Sequence, residues 1–245
     1  MRYAVYVEGQ SEMLFVADVL QKYSNYDSAQ CGFLCINLNA DVLSKVSYPQ
    51  QGSPTSVNYY QIVNVNNDTR VVSKINKDIP NLIEKGYNVI IGLRDVFSEN
   101  YERIVGKPII DRKKIEEMHL AQTSCVNTRG GDFRLHFAIM EYETWMLALI
   151  ENYVKNNGKD LMTICQQLKV DISGDPEMTV YHPYPLVRKI FQACGDDYHK
   201  HGKESHSFLS TVSRSDYEKL RQSGRCPSFK KFLDSLLGEA CPALP

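Results

Sequence analysis

Apolar residues along the first 141 positions fall into short stretches separated by polar, turn-forming segments. Five stretches are typical of β-strands, because they are rich in Val, Ile, Tyr and Phe: 2–8, 32–37, 57–64, 87–93 and 133–140. The stretch 87–93 is apolar enough to predict a central parallel strand buried on both faces. Residues 40–56 are rich in Ser, Pro, Gln and Gly and predict a surface loop.

Helical spacing of apolar residues occurs between these strands. Ser11 is the predicted N-cap of a first helix, whose apolar stripe follows it directly. A second helix is predicted at 69–85, with a break or kink at Pro80 and a C-terminal cap at Gly86, and a charged helix at 111–122. Strand–helix alternation of this kind predicts an α/β fold with a mostly parallel central sheet flanked by helices.

Beyond residue 141 the periodicity becomes mainly helical. Helices are predicted at 142–154, 157–168, 185–194, 215–222 and 227–238. We therefore expect an α/β core over residues 1–150 and a helical C-terminal extension over 151–245 that packs on it.

Composition narrows the class of protein. The chain has 245 residues, 43% of them hydrophobic, and a formal net charge of −1, so composition gives no support for a nucleic-acid partner held mainly by electrostatics. No apolar run reaches the roughly 18 residues that cross a bilayer. Glu8 comes too early in the sequence for the apolar segment of a secretory signal peptide to precede it. Seven cysteines include no CxxC pair, which argues against a disulfide framework or a zinc ribbon. We expect a cytoplasmic protein without a membrane segment.

Acidic residues close three of the predicted strands. They are Glu8, Asp95 and Glu141. Ligands of open parallel sheets bind beyond the carboxyl ends of the strands, so these carboxylates are expected to converge there. Glu12 and Glu143 follow closely enough to face the same crevice.

Clustered carboxylates repel one another unless a cation lies among them, and Mg²⁺ and Mn²⁺ favour oxygen ligands. The cofactor expected is therefore Mg²⁺ or Mn²⁺. Each acid also has an ordinary interpretation: Glu12 favours a helix dipole, Asp95 caps a helix, and Glu141 and Glu143 are solvated acids at a helix start. The recurrence of acids at three strand ends favours the metal site over these separate explanations.

Four segments, in chain order, carry a resemblance to a known family. Residues 6–12 (YVEGQSE) resemble the V-E-G-x-[ST]-E opening of TOPRIM domains, especially those of OLD-family nucleases. Residues 92–95 (GLRD) resemble the strand with the TOPRIM aspartate. Residues 136–147 (HFAIMEYETWML) and 226–233 (CPSFKKFL) are similar to segments of a TOPRIM-like family of unknown function, related to RloB-type and abortive-infection proteins.

The resemblance implies a TOPRIM-type, Rossmann-like core and a metal-dependent nuclease, with a role in phage defence. Glu8 would ligate metal or shuttle a proton, Asp95 would be the core ligand, and Glu12, Glu143 and the neighbouring Glu141 would complete the metal site. A partner ATPase is a further candidate partner, beside DNA or RNA as substrate.

One position departs from the family pattern. TOPRIM domains carry Asp-x-Asp, and here the third position is Phe97, which has no carboxylate. The departure implies one metal instead of two, or a site that binds without cutting.

Basic residues supply candidates for phosphate contact. Lys200 and Lys203 lie in a His/Lys-rich segment, and Lys200 matches a family Y-x-K, so Lys200 is a catalytic candidate that stabilises charge on phosphate. A solvated loop explains this segment equally well, and surface charge explains Arg112, the third nucleic-acid-binding candidate. Two hypotheses follow: a Mg²⁺- or Mn²⁺-dependent nuclease, or a non-catalytic TOPRIM-like module that binds nucleic acid or a partner.

Overall fold

The computed structural model describes residues 1–39, 42–66, 70–126, 131–200 and 204–238. The strands are β1 (Arg2–Val7), β2 (Cys31–Asn39), β3 (Val42–Gln51), β4 (Asn58–Asn64), β5 (Val89–Asp95) and β6 (Asp132–Ala138). The helices are α1 (Gln10–Tyr23), α2 (Arg70–Glu84), α3 (Glu99–Val105), α4 (Arg112–Ser124), α5 (Glu143–Leu149), α6 (Glu151–Asn156), α7 (Leu161–Leu168), α8 (Pro176–Thr179), α9 (Pro183–Ala193), α10 (Glu204–Thr211), α11 (Arg214–Gln222) and α12 (Pro227–Leu237).

The described strands form one sheet in the order β3-β2-β4-β1-β5-β6. Strand β1 pairs in parallel with β4 and β5, and β4 pairs in parallel with β2. Every residue of β5 is buried, as its apolar sequence predicts for an inner parallel strand. Strand β3 is antiparallel to β2. The predicted α/β class, with a mostly parallel sheet flanked by helices and a helical C-terminal part, is confirmed.

The chain forms two compact units that alternate along the sequence. The first comprises Met1–Arg94, Glu116–Phe137 and the described residues from Phe232 onward, and it contains nearly all of the sheet. The second comprises Asp95–Ile115 and Ala138–Lys231 and is mainly helical. The predicted division at residue 150 stays a prediction.

Helix α2 covers one face of the sheet in the first unit. Its buried residues Val71, Ile75 and Ile79 recur every four positions, so they form one apolar stripe. This stripe packs in a cluster with sheet residues that include Ala4 and Tyr6. Helix packing of this kind buries the face that a parallel sheet cannot leave to water.

Helix α1 meets the part of α12 that begins at Phe232, which also belongs to the first unit. The rings of Phe15 and Phe232 lie 6.4 Å apart, and the Tyr60 hydroxyl donates to the Leu236 carbonyl at 3.1 Å. Tyr60 also stacks on Tyr3, with ring centroids 4.4 Å apart. The end of α12 therefore belongs to the core of the first unit.

The second unit has an aromatic core of its own. Trp145 is fully buried, and its ring lies 5.6 Å from that of Phe229. Its indole N–H donates to Ser228 Oγ at 3.0 Å and to Glu177 Oε1 at 3.3 Å. Burial raises the pKa of the Glu177 carboxyl. Hydrogen bonds from the Ser228 hydroxyl and backbone N–H act in the opposite direction and lower it, by a smaller amount.

Two local predictions were wrong. Residues 42–51 of the predicted loop form β3, because an edge strand tolerates polar residues and a proline that an inner strand would not. Helix α1 begins at Gln10 with Gly9 as its N-cap, so Ser11 lies inside the first turn. Helix α2 continues through Pro80, so there is no break there, and the alternative of a kink stays a prediction. Gly86 has the left-handed φ of +76° expected of a helix-terminating glycine. Helices α3, α8 and α10 were not predicted, because they are short or weakly patterned.

Candidate metal centre

Asp95 is the last residue of β5, and the backbone beyond it runs beside the residues that follow β6. Val96 N–H donates to the Ala138 carbonyl at 3.1 Å, and Phe97 N–H to the Met140 carbonyl at 2.7 Å. Met140 has a φ of +64°, which is uncommon for a residue with a side chain. The chain turns at this residue, and Glu141 and the first turn of α5 follow.

Three carboxylates meet in the second unit. One oxygen each from Asp95, Glu141 and Glu143 lies within 4.8 Å of the other two. The three residues are 7%, 4% and 1% exposed, respectively. This buried acidic triad could hold a divalent metal ion, because hard cations of this class take carboxylate oxygens as ligands.

Hydrogen bonds from the protein orient each carboxylate of the triad. The donors are the Tyr142 N–H to Asp95 Oδ1 at 2.8 Å, the Tyr184 N–H to Glu141 Oε2 at 3.1 Å, and the Tyr198 hydroxyl to Glu143 Oε1 at 3.1 Å. Such bonds fix the direction in which a ligating carboxylate presents its second oxygen. The triad is therefore preorganised by the protein.

The second oxygen of each carboxylate faces the ammonium group of Lys200. Its Nζ lies 2.9 Å from Glu141 Oε1, 3.2 Å from Glu143 Oε2 and 3.7 Å from Asp95 Oδ2. The Lys200 side chain is 33% exposed and lies over the ring of Tyr184, 5.4 Å from its centroid. A positive charge thus stands where the triad would hold a cation.

His182 adds a nitrogen at the edge of this site. Its Nδ1 lies 3.2 Å from Glu141 Oε2, and its ring stacks on Phe97 with centroids 4.5 Å apart. The aromatic residue that departs from the Asp-x-Asp pattern therefore supports an imidazole. Sequence reasoning missed His182 and Tyr184, although a polar residue followed by Pro183 at the first helical position is a recognisable helix start.

Glu8 and Glu12 belong to the first unit. Glu8 Oε1 lies 3.5 Å from Arg94 Nε, and Arg94 also donates to Gln122 Oε1 at 2.7 Å. Glu12 is 7% exposed, and its carboxylate lies against Gly9, where an added Cβ would come within 2.8 Å of Glu12 Oε2. Their role as metal ligands stays a prediction.

The predicted phosphate-contacting residues have separate outcomes. Lys200 belongs to the acidic site described above. Arg112 donates to the Glu177 carbonyl at 3.2 Å, and its guanidinium lies 3.7 Å from Glu177 Oε2. Lys203 lies outside the described residues. Nucleic-acid binding by these three residues stays a prediction.

The fold and site together define an α/β protein with a buried three-carboxylate cluster suited to a divalent cation. The chain belongs to the family described as Domain of unknown function (DUF4276), whose model matches residues 7–237. No curated protein matches the chain. A solved structure of a candidate cell surface hydrolase from Lactobacillus plantarum WCFS1 is similar at 12% identity and a TM-score of 0.32, covering 86% of this chain and 89% of that one. The resemblance to TOPRIM and OLD-family proteins stays a prediction. No helix among the described residues has the length and apolar character needed to span a membrane.

Proposed function

We propose that the protein is a Mg²⁺- or Mn²⁺-dependent phosphodiester hydrolase that acts on DNA or RNA. The carrying observation is the arrangement of Asp95, Glu141 and Glu143, whose carboxylates are buried, held by hydrogen bonds and directed at one cationic position. A bound cation in such a site would polarise a phosphoryl oxygen and lower the pKa of a bound water.

In this proposal, carboxylates bind the cation and a lysine stabilises charge on the substrate. Asp95, Glu141 and Glu143 hold the cation, and Glu8 and Glu12 are the further ligands that the TOPRIM resemblance supplies. Lys200 carries its charge on a flexible side chain at the triad, and with the cation bound its ammonium would stabilise negative charge that develops on a phosphate. The choice of nucleic acid as substrate, and a role in phage defence beside a partner ATPase, rest on that resemblance.

Cation binding is the first experiment. Calorimetric titration with Mn²⁺ and Mg²⁺ compares the wild-type protein with Asp95→Asn, and Glu151→Gln is the control because Glu151 is an exposed acid of the same unit. We expect binding by the wild type and the control, and a loss in Asp95→Asn. If the wild type binds neither ion, with oligonucleotide present or absent, the proposal of a metal-dependent hydrolase is refuted.

Cleavage is the second experiment. Single-stranded DNA, duplex DNA and RNA are incubated with the protein and Mn²⁺, with and without a chelator. We expect cleavage of at least one substrate, lost with the chelator and in Asp95→Asn and Glu8→Gln, while circular dichroism shows both variants folded. Retained cutting in both variants contradicts the assignment.

A non-catalytic binding module is the second candidate, and Lys200 is the observation that favours it. Its ammonium already forms ion pairs with all three carboxylates, and Phe97 replaces an expected acid. For this candidate we expect oligonucleotide or partner binding that is indifferent to divalent cations, without any cleavage.

A further inference from the structure

The Lys200 ammonium occupies the centre of the acidic triad. It is 2.9, 3.2 and 3.7 Å from one oxygen of Glu141, Glu143 and Asp95, respectively, and these oxygens are the ones opposite the protein's own hydrogen-bond donors. The same three residues are those that could hold a metal. The Lys200 ammonium and a metal ion would therefore bind the same three carboxylates.

Geometry brings the two cations into conflict. A Mg²⁺ or Mn²⁺ ion bound to Glu141 Oε1 would lie roughly 2 Å from it. Because the Lys200 ammonium is 2.9 Å from that same oxygen, the two charges would stand within about 5 Å of each other. Like charges this close in a partly buried site repel strongly.

We propose that Lys200 sets the cation affinity of the site, because a divalent ion binds the triad only by displacing the Lys200 ammonium. This proposal rests on the proposed function, since it requires the triad to bind a cation. In the ion-free protein the ammonium neutralises buried carboxylates that would otherwise repel one another. The site is thus kept closed until an ion of sufficient charge density competes with the lysine.

Neighbouring contacts anchor the residues that precede Lys200. Tyr198 is fully buried with its hydroxyl on Glu143, and the Asp197 carboxylate receives two hydrogen bonds from Arg188 at 2.7 and 2.9 Å. These residues hold the backbone just before Lys200. The lysine itself is 33% exposed and has a flexible four-carbon stem, so its ammonium has a path to water.

The test compares Mn²⁺ affinity by calorimetry in the wild type, Lys200→Met and Lys189→Met. Lys189 is an exposed lysine of α9, so it controls for the loss of one positive charge in the same unit. We expect Lys200→Met to bind Mn²⁺ about tenfold more tightly or better, because a tethered group competes at a high effective concentration. Lys189→Met should keep the wild-type dissociation constant. Equal or weaker binding by folded Lys200→Met overturns the proposal.

The outcomes separate this proposal from the function on which it rests. If the wild type and Lys200→Met bind Mn²⁺ with equal affinity, the metal site is supported and only the competition between Lys200 and the ion is refuted. Binding by neither protein refutes both.

A measurement on the wild type guards against a Lys200→Met variant that fails to fold. Lysine methylation by formaldehyde and a borane is quantified by mass spectrometry with and without saturating Mn²⁺. We expect Mn²⁺ to accelerate methylation of Lys200 severalfold and to leave Lys189 unchanged, because displacement frees the ammonium from the carboxylates. Slower or unchanged methylation of Lys200 means that ion and lysine share the site, and overturns the proposal.

Discussion

The Tyr198 hydroxyl offers a sharp test of whether the protein orients the acidic triad. Tyr198 is fully buried, and its hydroxyl donates to Glu143 Oε1 at 3.1 Å. Tyr198→Phe removes this one oxygen and leaves the ring in place against Phe191, whose centroid is 5.1 Å away. The variant therefore isolates the hydrogen bond from the packing.

Two effects of Tyr198→Phe can be given magnitudes. A hydrogen bond to a charged group contributes about 1.5–3 kcal/mol, so the free energy of unfolding should fall by about that amount. Loss of a group that orients a metal ligand costs about 10–100-fold in affinity. We expect the Mn²⁺ dissociation constant to rise within that range, because Glu143 no longer holds its second oxygen towards the cation. Urea unfolding measures the first effect and calorimetry the second.

Tyr153→Phe is the matched control for this experiment. Tyr153 is also a buried tyrosine of the second unit, its ring stacks on Phe191 at 4.2 Å, and its hydroxyl donates to the Asp196 carboxylate at 2.9 Å. Asp196 is not part of the triad, so this variant should lose comparable stability and keep its Mn²⁺ affinity. If the two variants bind Mn²⁺ equally well, the orienting role of Tyr198 is refuted.

Three further predictions concern packing and pH. Gly92→Ala should lower the free energy of unfolding by about 1–3 kcal/mol, because the new methyl group would lie 3.0 Å from Leu135 Cδ1. Urea unfolding measures this change, and a variant as stable as the wild type would contradict the packing. Burial raises the pKa of Glu177, so the stability that its protonated carboxyl contributes is present at acidic pH and is lost as pH rises through the folded-state pKa. Glu177→Gln should therefore gain stability relative to the wild type as pH rises. A difference in unfolding free energy between the two proteins that does not change with pH would refute this. The hydrogen bond from Arg188 lowers the pKa of Asp197 to about 2, so the stability that this pair contributes is lost as pH falls towards 2; carbon-detected NMR should show the pKa returning to the ordinary range in Arg188→Gln.

Local pattern predicted the fold class well. The apolar run before Asp95 is an inner parallel strand, and the alternation of strands and helices gives the flanked sheet. These features are readable because side-chain periodicity and apolar content act over a few neighbouring residues. Local pattern failed at β3, because an edge strand is defined by its neighbour in the sheet more than by its own composition.

Acids at the ends of predicted strands also indicated part of the site. The order of the sequence predicts Asp95 and Glu141 as site residues because parallel strands end at the same edge of a sheet, and Glu143 because it follows Glu141 by two residues. The structure brings these three together. Glu8 and Glu12 belong to the other unit, and their part in the site stays a prediction.

Sequence alone determined most of the strands and helices and which acids stand at strand ends, since these follow from the order of neighbouring residues. Only the tertiary structure decided which groups surround those acids. Tyr184, Tyr198 and Lys200 lie 40 to 60 positions beyond Glu141 along the chain, and no periodicity relates them to it. Their convergence depends on how the helices of the second unit pack, which is the sum of many weak, non-local contacts.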